Sequence, residues 1–160
     1  MENDRTVSRG EAAEGFFKEG YNCAQAVALA FSDLIGLEKE KTAALASSFG
    51  GGFGRSREVC GTVSGGCIVL GVCFGAYAPD DHGAKSAHYA LVRDFMARFA
   101  EKNGSYICRE LLGTSEKGGE PAPRDGSFYH KRPCAAIVRS AAEIVEDILR
   151  EKGVLPDKAD

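Results

Sequence analysis

A chain of 160 residues provides one domain's worth of sequence, enough to bury a single core without disulfide cross-links. The net charge of −3 argues against a dedicated nucleic-acid-binding protein, which would usually carry a basic surplus. The polar opening MENDRTVSRG has no basic segment followed by an apolar one, so we expect no secretory signal and a cytoplasmic location.

Helical patterns dominate the first third of the chain, and we find no internal repeat or strong strand alternation. Ser8 opens a capping-box pattern and predicts the start of a first helix, which ends near Gly20. Asn22 predicts the cap of a second helix, which extends to Gly36. A third helix, EKEKTAALASSFG, stops at the glycines that follow it.

An uncharged segment, VCGTVSGGCIVLGVCFGAYAP, follows Glu58, and its residues 59–78 predict a fourth helix. Its length suits a membrane span, but its glycines and the absence of aromatic or basic flanks argue against one. A helix that is apolar on all sides also suits the centre of a soluble bundle, where glycines let neighbouring helices approach closely. We therefore expect a buried, glycine-rich central helix.

Three further helical segments follow along the chain. The pattern predicts a fifth helix from about Ala84 to Lys102, a short helical turn in YICRELLG and a last helix that starts at Pro133. The stretch 113–132 is long for an unstructured connection, so we expect it to be either functional or mobile.

These segments together predict an all-α fold. We expect a single helical domain over residues 1–160, with its core at about residues 8–150. The predicted architecture is a bundle of about five to six helices around the glycine-rich segment 60–78.

Six cysteines are unusual in a small chain in a reducing cytosol, where they indicate metal binding or redox chemistry rather than structural disulfides. Four of them fall at predicted helix starts, namely Cys23, Cys60, Cys108 and Cys134. Unpaired backbone N–H groups and the positive end of the helix dipole stabilise a thiolate there. Because thiolates are redox nucleophiles and soft-metal ligands, we expect these four to act together.

The other two cysteines, Cys67 and Cys73, lie inside the apolar helix. They are six residues apart and so do not share a helix face, and core packing is the expected role of both. No CxxC pair occurs in the chain. The four helix-start cysteines are far apart in sequence, so only the tertiary fold can bring them together.

The glycine-rich stretch GGGFGRSRE precedes Cys60. No strand precedes it and no GxGxxG or GK[ST] pattern is present, so nucleotide binding is disfavoured. Arg55 and Arg57 are interpreted either as cations that lower the pKa of the Cys60 thiol or as solvent-exposed residues. His130, four residues before Cys134, is a candidate outer-shell partner of the site.

Five motifs carry a family resemblance: GYNCAQAV (20–27), FGGGFG (49–54), CGTVSG (60–65), CRELLG (108–113) and PCAAIV (133–138). In combination they resemble the redox-active proteins with a C…CGAxxG…C…C pattern, the C_GCAxxG_C_C family, and a domain of split-Soret cytochromes. The resemblance covers roughly residues 8–150 and implies an all-helical domain whose four cysteines form one redox or iron–sulfur site. Thr62 stands where the motif has alanine, and no CxxCH haem motif is present.

The resemblance implies a set of site residues. The redox-active thiols and metal ligands are Cys23, Cys60, Cys108 and Cys134, and Gly61 and Thr62 complete the cofactor-binding set. The simplest cofactor is a two-iron iron–sulfur cluster, used in electron transfer or redox sensing.

Other functions of the same cysteines stay open. A metal-free protein would pair Cys108 with Cys134 and Cys23 with Cys60 in thiol–disulfide chemistry. An all-cysteine structural zinc site and a plain helical scaffold are further alternatives. No substrate pocket can be recognised in the sequence, so an enzymatic activity is left open. We expect a redox partner protein of unknown identity, and a homodimer also stays open.

Overall fold

The computed structural model describes residues 7–114, 117–126, 128 and 132–157. In these residues we number eight α-helices: α1 (Arg9–Lys18), α2 (Cys23–Leu29), α3 (Ser32–Ile35), α4 (Lys39–Ala46), α5 (Gly61–Phe74), α6 (His82–Asn103), α7 (Cys108–Leu112) and α8 (Cys134–Glu151). A 3₁₀ turn, Ser47–Phe49, and a glycine turn, Gly50–Phe53, connect α4 to α5. The described chain contains no strand, so the predicted all-α fold class is confirmed.

The first two predicted helix starts are confirmed by their capping bonds. The Ser8 hydroxyl accepts a hydrogen bond from the backbone N–H of Glu11 at 3.1 Å. Asn22 forms a full capping box, because its side chain accepts from the Gln25 N–H at 2.9 Å and its own N–H donates to the Gln25 side chain at 3.0 Å. These bonds satisfy N–H groups that the first helical turn leaves unpaired.

The predicted second helix is divided into α2 and α3 at Phe31. This residue has φ −120° and ψ 23°, outside the helical region, and its side chain is fully buried in the core. The guanidinium of Arg9 lies 5.2 Å from the centroid of the ring and donates a hydrogen bond to the Ala30 carbonyl. The bend therefore turns one aromatic ring into the core, which the helical periodicity alone does not predict.

The main core lies between α1, α2, α5, α6 and α8, and a smaller buried cluster of Ala24, Ala28 and Ala46 lies between α2 and α4. Helix α8 contributes the longest buried stripe, which runs from Ile137 to Leu149. Helix α6 contributes Phe95 and Phe99, both fully buried. Each such side chain contributes about 1.5–3 kcal/mol when it leaves water, so this core is the main source of stability.

Helix α5 is shorter than the predicted segment 59–78 and is buried on one face. Its buried residues are Gly61, Thr62, Val63, Gly65, Gly66, Val69 and Leu70. A Cβ at Gly65 would lie 2.5 Å from the Ala24 carbonyl oxygen, and one at Gly66 would lie 2.5 Å from the Phe95 ring. These glycines therefore allow α2 and α6 to pack closely on α5. The described helices include none with the length and apolar character needed to cross a bilayer.

Candidate functional site

All four predicted site cysteines stand at helix starts. Cys23, Cys108 and Cys134 are the first residues of α2, α7 and α8. Cys60 is the N-cap of α5. The predicted placement at helix starts is therefore confirmed for each of them.

The four cysteines line one cavity of about 340 Å³. Cys23 and Cys108 are close enough to Cys60 to raise the pKa of its thiol, and they act in the same way on Cys134. The fold thus brings together the four cysteines that are far apart in sequence.

A short backbone pairing holds Cys60 beside Cys108. The N–H of Cys60 donates to the Tyr106 carbonyl at 2.8 Å, and the N–H of Cys108 donates to the Glu58 carbonyl at 2.6 Å. An isolated antiparallel bridge lies between these two bonds. Two helix starts from distant parts of the chain are therefore fixed relative to each other by main-chain bonds.

The glycine turn contacts two of the site cysteines. Residues 51–55 all have positive φ, between 59° and 69°. The Gly51 backbone N–H hydrogen-bonds to the Cys23 thiol and lowers its pKa. A Cβ at Gly52 would lie 2.8 Å from the Cys108 Cβ, so only glycine fits this close approach. This turn therefore packs against Cys23 and Cys108.

Gly61 and Thr62, the two other predicted cofactor-binding residues, also contact thiols. A Cβ at Gly61 would lie 2.4 Å from the Cys23 Sγ. The Thr62 hydroxyl lies 3.1 Å from the Cys60 Sγ, and either group can donate the hydrogen bond. The hydroxyl that replaces the motif's alanine therefore bonds to a site thiol.

Burial raises the pKa of three of the four site thiols. Desolvation raises the pKa of Cys60 to about 12 and that of Cys134 to about 11, and it also raises the pKa of Cys23. Backbone N–H groups at the helix starts lower the pKa values of Cys23 and Cys60, but by less. Burial therefore opposes the thiolate stabilisation expected at the helix starts and favours the neutral form of these three thiols.

Arg57 contacts a different cysteine from the one predicted. Its side chain is only 3% exposed, and Nη1 donates to the Cys108 Sγ at 3.6 Å. The alternative that Arg57 is solvent-exposed is therefore wrong, and its effect on the pKa of Cys60 stays a prediction. A positive φ of 60° at Arg57 turns the chain, and the N–H of Arg57 donates to the Gly51 carbonyl at 3.1 Å.

Two further arginines at the cavity, Arg124 and Arg132, were missed by sequence reasoning. Arg124 donates to the carbonyls of Phe17 at 3.2 Å and Tyr21 at 3.0 Å. It thereby holds part of the 113–132 stretch against the cavity. No motif marks either arginine, because both depend on how this connection returns to the bundle. His130 lies outside the described residues.

Cys67 and Cys73 do not line the cavity and pack against the core, as predicted. Burial raises the pKa of Cys67 to about 11.

All six cysteines are free thiols. In the part of the chain that the structure describes, no three Cys, His, Asp or Glu side chains are grouped so that they could hold a metal ion. The four site thiols thus surround a cavity rather than meeting at one point.

A model of the family described as "Putative redox-active protein (C_GCAxxG_C_C)" matches residues 21–148. The chain belongs to this family. The matched stretch contains all four cavity cysteines, so the family resemblance seen in the motifs is confirmed. Searches of the curated proteins and of the solved structures find no match. The relation to split-Soret cytochromes stays a prediction.

Proposed function

We propose that this protein is a redox protein whose four cavity cysteines hold an iron–sulfur cluster, most simply with two irons, for electron transfer or redox sensing. The observation that carries the proposal is that four helix starts each present a thiol to one cavity. Membership of a redox-active family supports the redox role.

The donor set fits an all-cysteine cluster. Cys23, Cys60, Cys108 and Cys134 would hold it, and no Asp, Glu or His among the described residues lines the cavity. Soft thiolates favour iron–sulfur clusters, zinc or copper(I) over hard cations. When bound, a cluster would supply one-electron transfer at this site.

The size of the cavity supports a cluster over a single zinc ion. Four sulfurs that share one zinc ion must each lie about 2.3 Å from it. The cavity that the four thiols line has a volume of about 340 Å³, which leaves room for a group larger than one ion.

The residues around the thiols would tune the site. Gly51 donates to Cys23, Arg57 donates to Cys108, and the Thr62 hydroxyl pairs with Cys60. Hydrogen bonds and positive charge near the sulfurs stabilise the more negative, reduced state and so raise the reduction potential. The burial of Cys60 and Cys108 limits the access of water to the same atoms.

The test is the visible spectrum and the iron and sulfide content of protein purified without oxygen. We expect a coloured protein with matching amounts of iron and acid-labile sulfide, which bleaches on reduction. A colourless protein with one equivalent of zinc would instead assign the cavity to a structural metal. A colourless protein without metal would leave the second candidate.

The second candidate is a metal-free thiol–disulfide function at Cys23 and Cys60. The Cys23 thiol lies against Gly61, the residue after Cys60, and after burial itself Cys23 is the largest cause of the raised pKa of Cys60. Oxidation would join the two sulfurs, release two protons and pass two electrons to an external oxidant. Mapping of disulfide-linked peptides after mild oxidation checks this pairing, and the absence of a Cys23–Cys60 peptide would contradict it.

A further inference from the structure

One wall of the thiol cavity is formed by residues 117–124, which we call the cover segment. Gly119, Pro121, Ala122 and Arg124 of this segment line the cavity together with the four site cysteines. The structure describes all of residues 117–124, which contain neither helix nor strand and are mostly exposed to solvent. Access to the cavity through this wall therefore depends on how the cover segment is attached to the bundle.

Arg55 attaches the first half of the cover segment to the glycine turn. The N–H of Gly118 donates to the Arg55 carbonyl at 2.8 Å, and the Arg55 Nη1 donates to the Glu120 carbonyl at 2.6 Å. One residue therefore holds the segment with both its main chain and its side chain. Arg55 has a φ of 65°, a left-handed conformation that persists in residues other than glycine only where the surrounding structure enforces it.

Arg124 attaches the other end of the cover segment to α1 and the residues after it. Its guanidinium donates to the carbonyls of Phe17 at 3.2 Å and Tyr21 at 3.0 Å. The same group lies 4.4 Å from the centroid of the Phe17 ring and 4.6 Å from that of the Phe128 ring. Because this attachment combines hydrogen bonds with cation–π contacts, we expect it to outlast the attachment at Arg55.

Between the two attachments the cover segment is held weakly. Within the described residues 117–123, the Gly118 N–H is the one main-chain donor bonded to another segment. Pro121 and Pro123 have no N–H to donate. A segment with few buried contacts and few hydrogen bonds opens more readily than the packed helices around it.

We propose that the cover segment is a gate over the thiol cavity, which opens at its Arg55 end while Arg124 keeps the other end attached. Opening admits small molecules to Cys60 and Cys108, which are only 7% and 6% exposed when the segment is in place. The same movement gives a cofactor a route to the thiols. The gate requires only the cavity and this wall, so it does not depend on the iron–sulfur proposal.

The test is the rate at which each cysteine reacts with iodoacetamide in reduced, metal-free protein, followed by tandem mass spectrometry of proteolytic peptides. Arg55→Gln should speed the labelling of Cys60 and Cys108 about tenfold, because it removes the charge-assisted hydrogen bond to Glu120. Loss of a nearby positive charge would by itself disfavour the reactive thiolates and slow the reaction. A faster rate therefore reports access to the thiols.

Arg55→Lys keeps a charged donor and should restore part of the slow labelling. Arg93→Gln, at an exposed position on α6, is the matched control and should label as the unmodified protein does. Cys67 and Cys73 lie outside the cavity and serve as internal references whose rates should not change in Arg55→Gln. Hydrogen exchange at the Gly118 amide should become faster in Arg55→Gln, while exchange in α5 and α8 stays slow.

Two results would overturn the gate. Unchanged labelling of Cys60 and Cys108 in Arg55→Gln, together with faster exchange at Gly118, would show that the segment opens without controlling access. Equal acceleration at all six cysteines would show that access follows from loosening of the whole bundle.

Discussion

Helix α5 has a cysteine and a glycine near each end, but the two ends lie in different surroundings. At the first turn, Cys60 and Gly61 are buried, and Gly61 lies against the Cys23 thiol. At the last turn, Cys73 is only partly buried, and a Cβ on Gly71 would meet nothing within 4 Å. The same two residue types therefore line the cavity at one end and lie outside it at the other. The neighbours that the fold brings to each end make the difference.

The largest expected effect comes from replacing the cysteine at each end. Cys60→Ser should abolish bound iron and visible absorption, because a hydroxyl is a poor ligand for the soft-metal sites that thiolates occupy. Serine keeps a hydrogen-bonding group beside Thr62, so the fold should be retained. Cys73→Ser is the matched control and should keep its iron. Metal analysis and visible spectra of anaerobically purified variants provide the measurement.

Equal iron content in the two variants would contradict the functional difference that we expect between the two ends of α5. If both keep their iron, the cavity does not depend on Cys60. If both lose it, the loss follows from general damage to α5 rather than from a ligand. Far-ultraviolet circular dichroism of each variant separates these outcomes, because a ligand loss leaves the helical signal unchanged.

Local signals account for most of the predicted site. Capping residues and a proline mark helix starts within a few residues of sequence, and Asn22 and Pro133 each precede a site cysteine directly. Four cysteines at helix starts could therefore be predicted before any tertiary contact was known. The all-α class followed from the same signals, because the helical periodicity runs through nearly the whole chain.

Tertiary contacts account for what the sequence could not show. The pairing of Arg57 with Cys108 depends on a left-handed turn and on main-chain bonds to a distant segment. The raised thiol pKa of Cys60 depends on how deeply the fold buries it. The break at Phe31 depends on space in the core that only the packed helices define. None of these has a signature in the sequence near the residue.

The second expected effect comes from adding one methyl group at each end of α5. Gly61→Ala should destabilise the protein by about 1–3 kcal/mol, because its Cβ would lie 2.4 Å from the Cys23 Sγ and 2.8 Å from the Phe49 carbonyl oxygen. Displacement of the Cys23 thiol should also lower the iron content. Urea unfolding gives the free energy, and metal analysis gives the occupancy.

Gly71→Ala is the control for this change and should raise the free energy of unfolding rather than lower it. Space is open around its Cβ position, and alanine in a helix interior is more favourable than glycine by about 0.5–1 kcal/mol. A stabilised Gly71→Ala beside a destabilised Gly61→Ala sharpens the contrast between the ends. Destabilisation of both by the same amount would show that the first turn of α5 is not specially packed.

The smallest expected effect concerns Cys67, which lies between the two ends and outside the cavity. Burial raises its pKa to about 11, so the folded protein holds this proton more tightly than the unfolded chain does. The neutral thiol therefore contributes stability that is fully present below its unfolded pKa of about 8.5 and is lost as the pH rises towards about 11. Because the residue is partly exposed, we expect this contribution to be only about 1 kcal/mol.

Urea unfolding of the unmodified protein and of Cys67→Ala across this alkaline range measures the contribution. The other thiols, the lysines and the tyrosines titrate in both proteins, so their effects cancel in the difference. The smaller side chain of Cys67→Ala lowers the free energy of unfolding by the same amount at every pH. This loss shifts the variant's curve of unfolding free energy against pH without changing its slope. Only titration of Cys67 itself makes the two curves converge as the pH rises, so parallel curves would show that this thiol is not held neutral by the core.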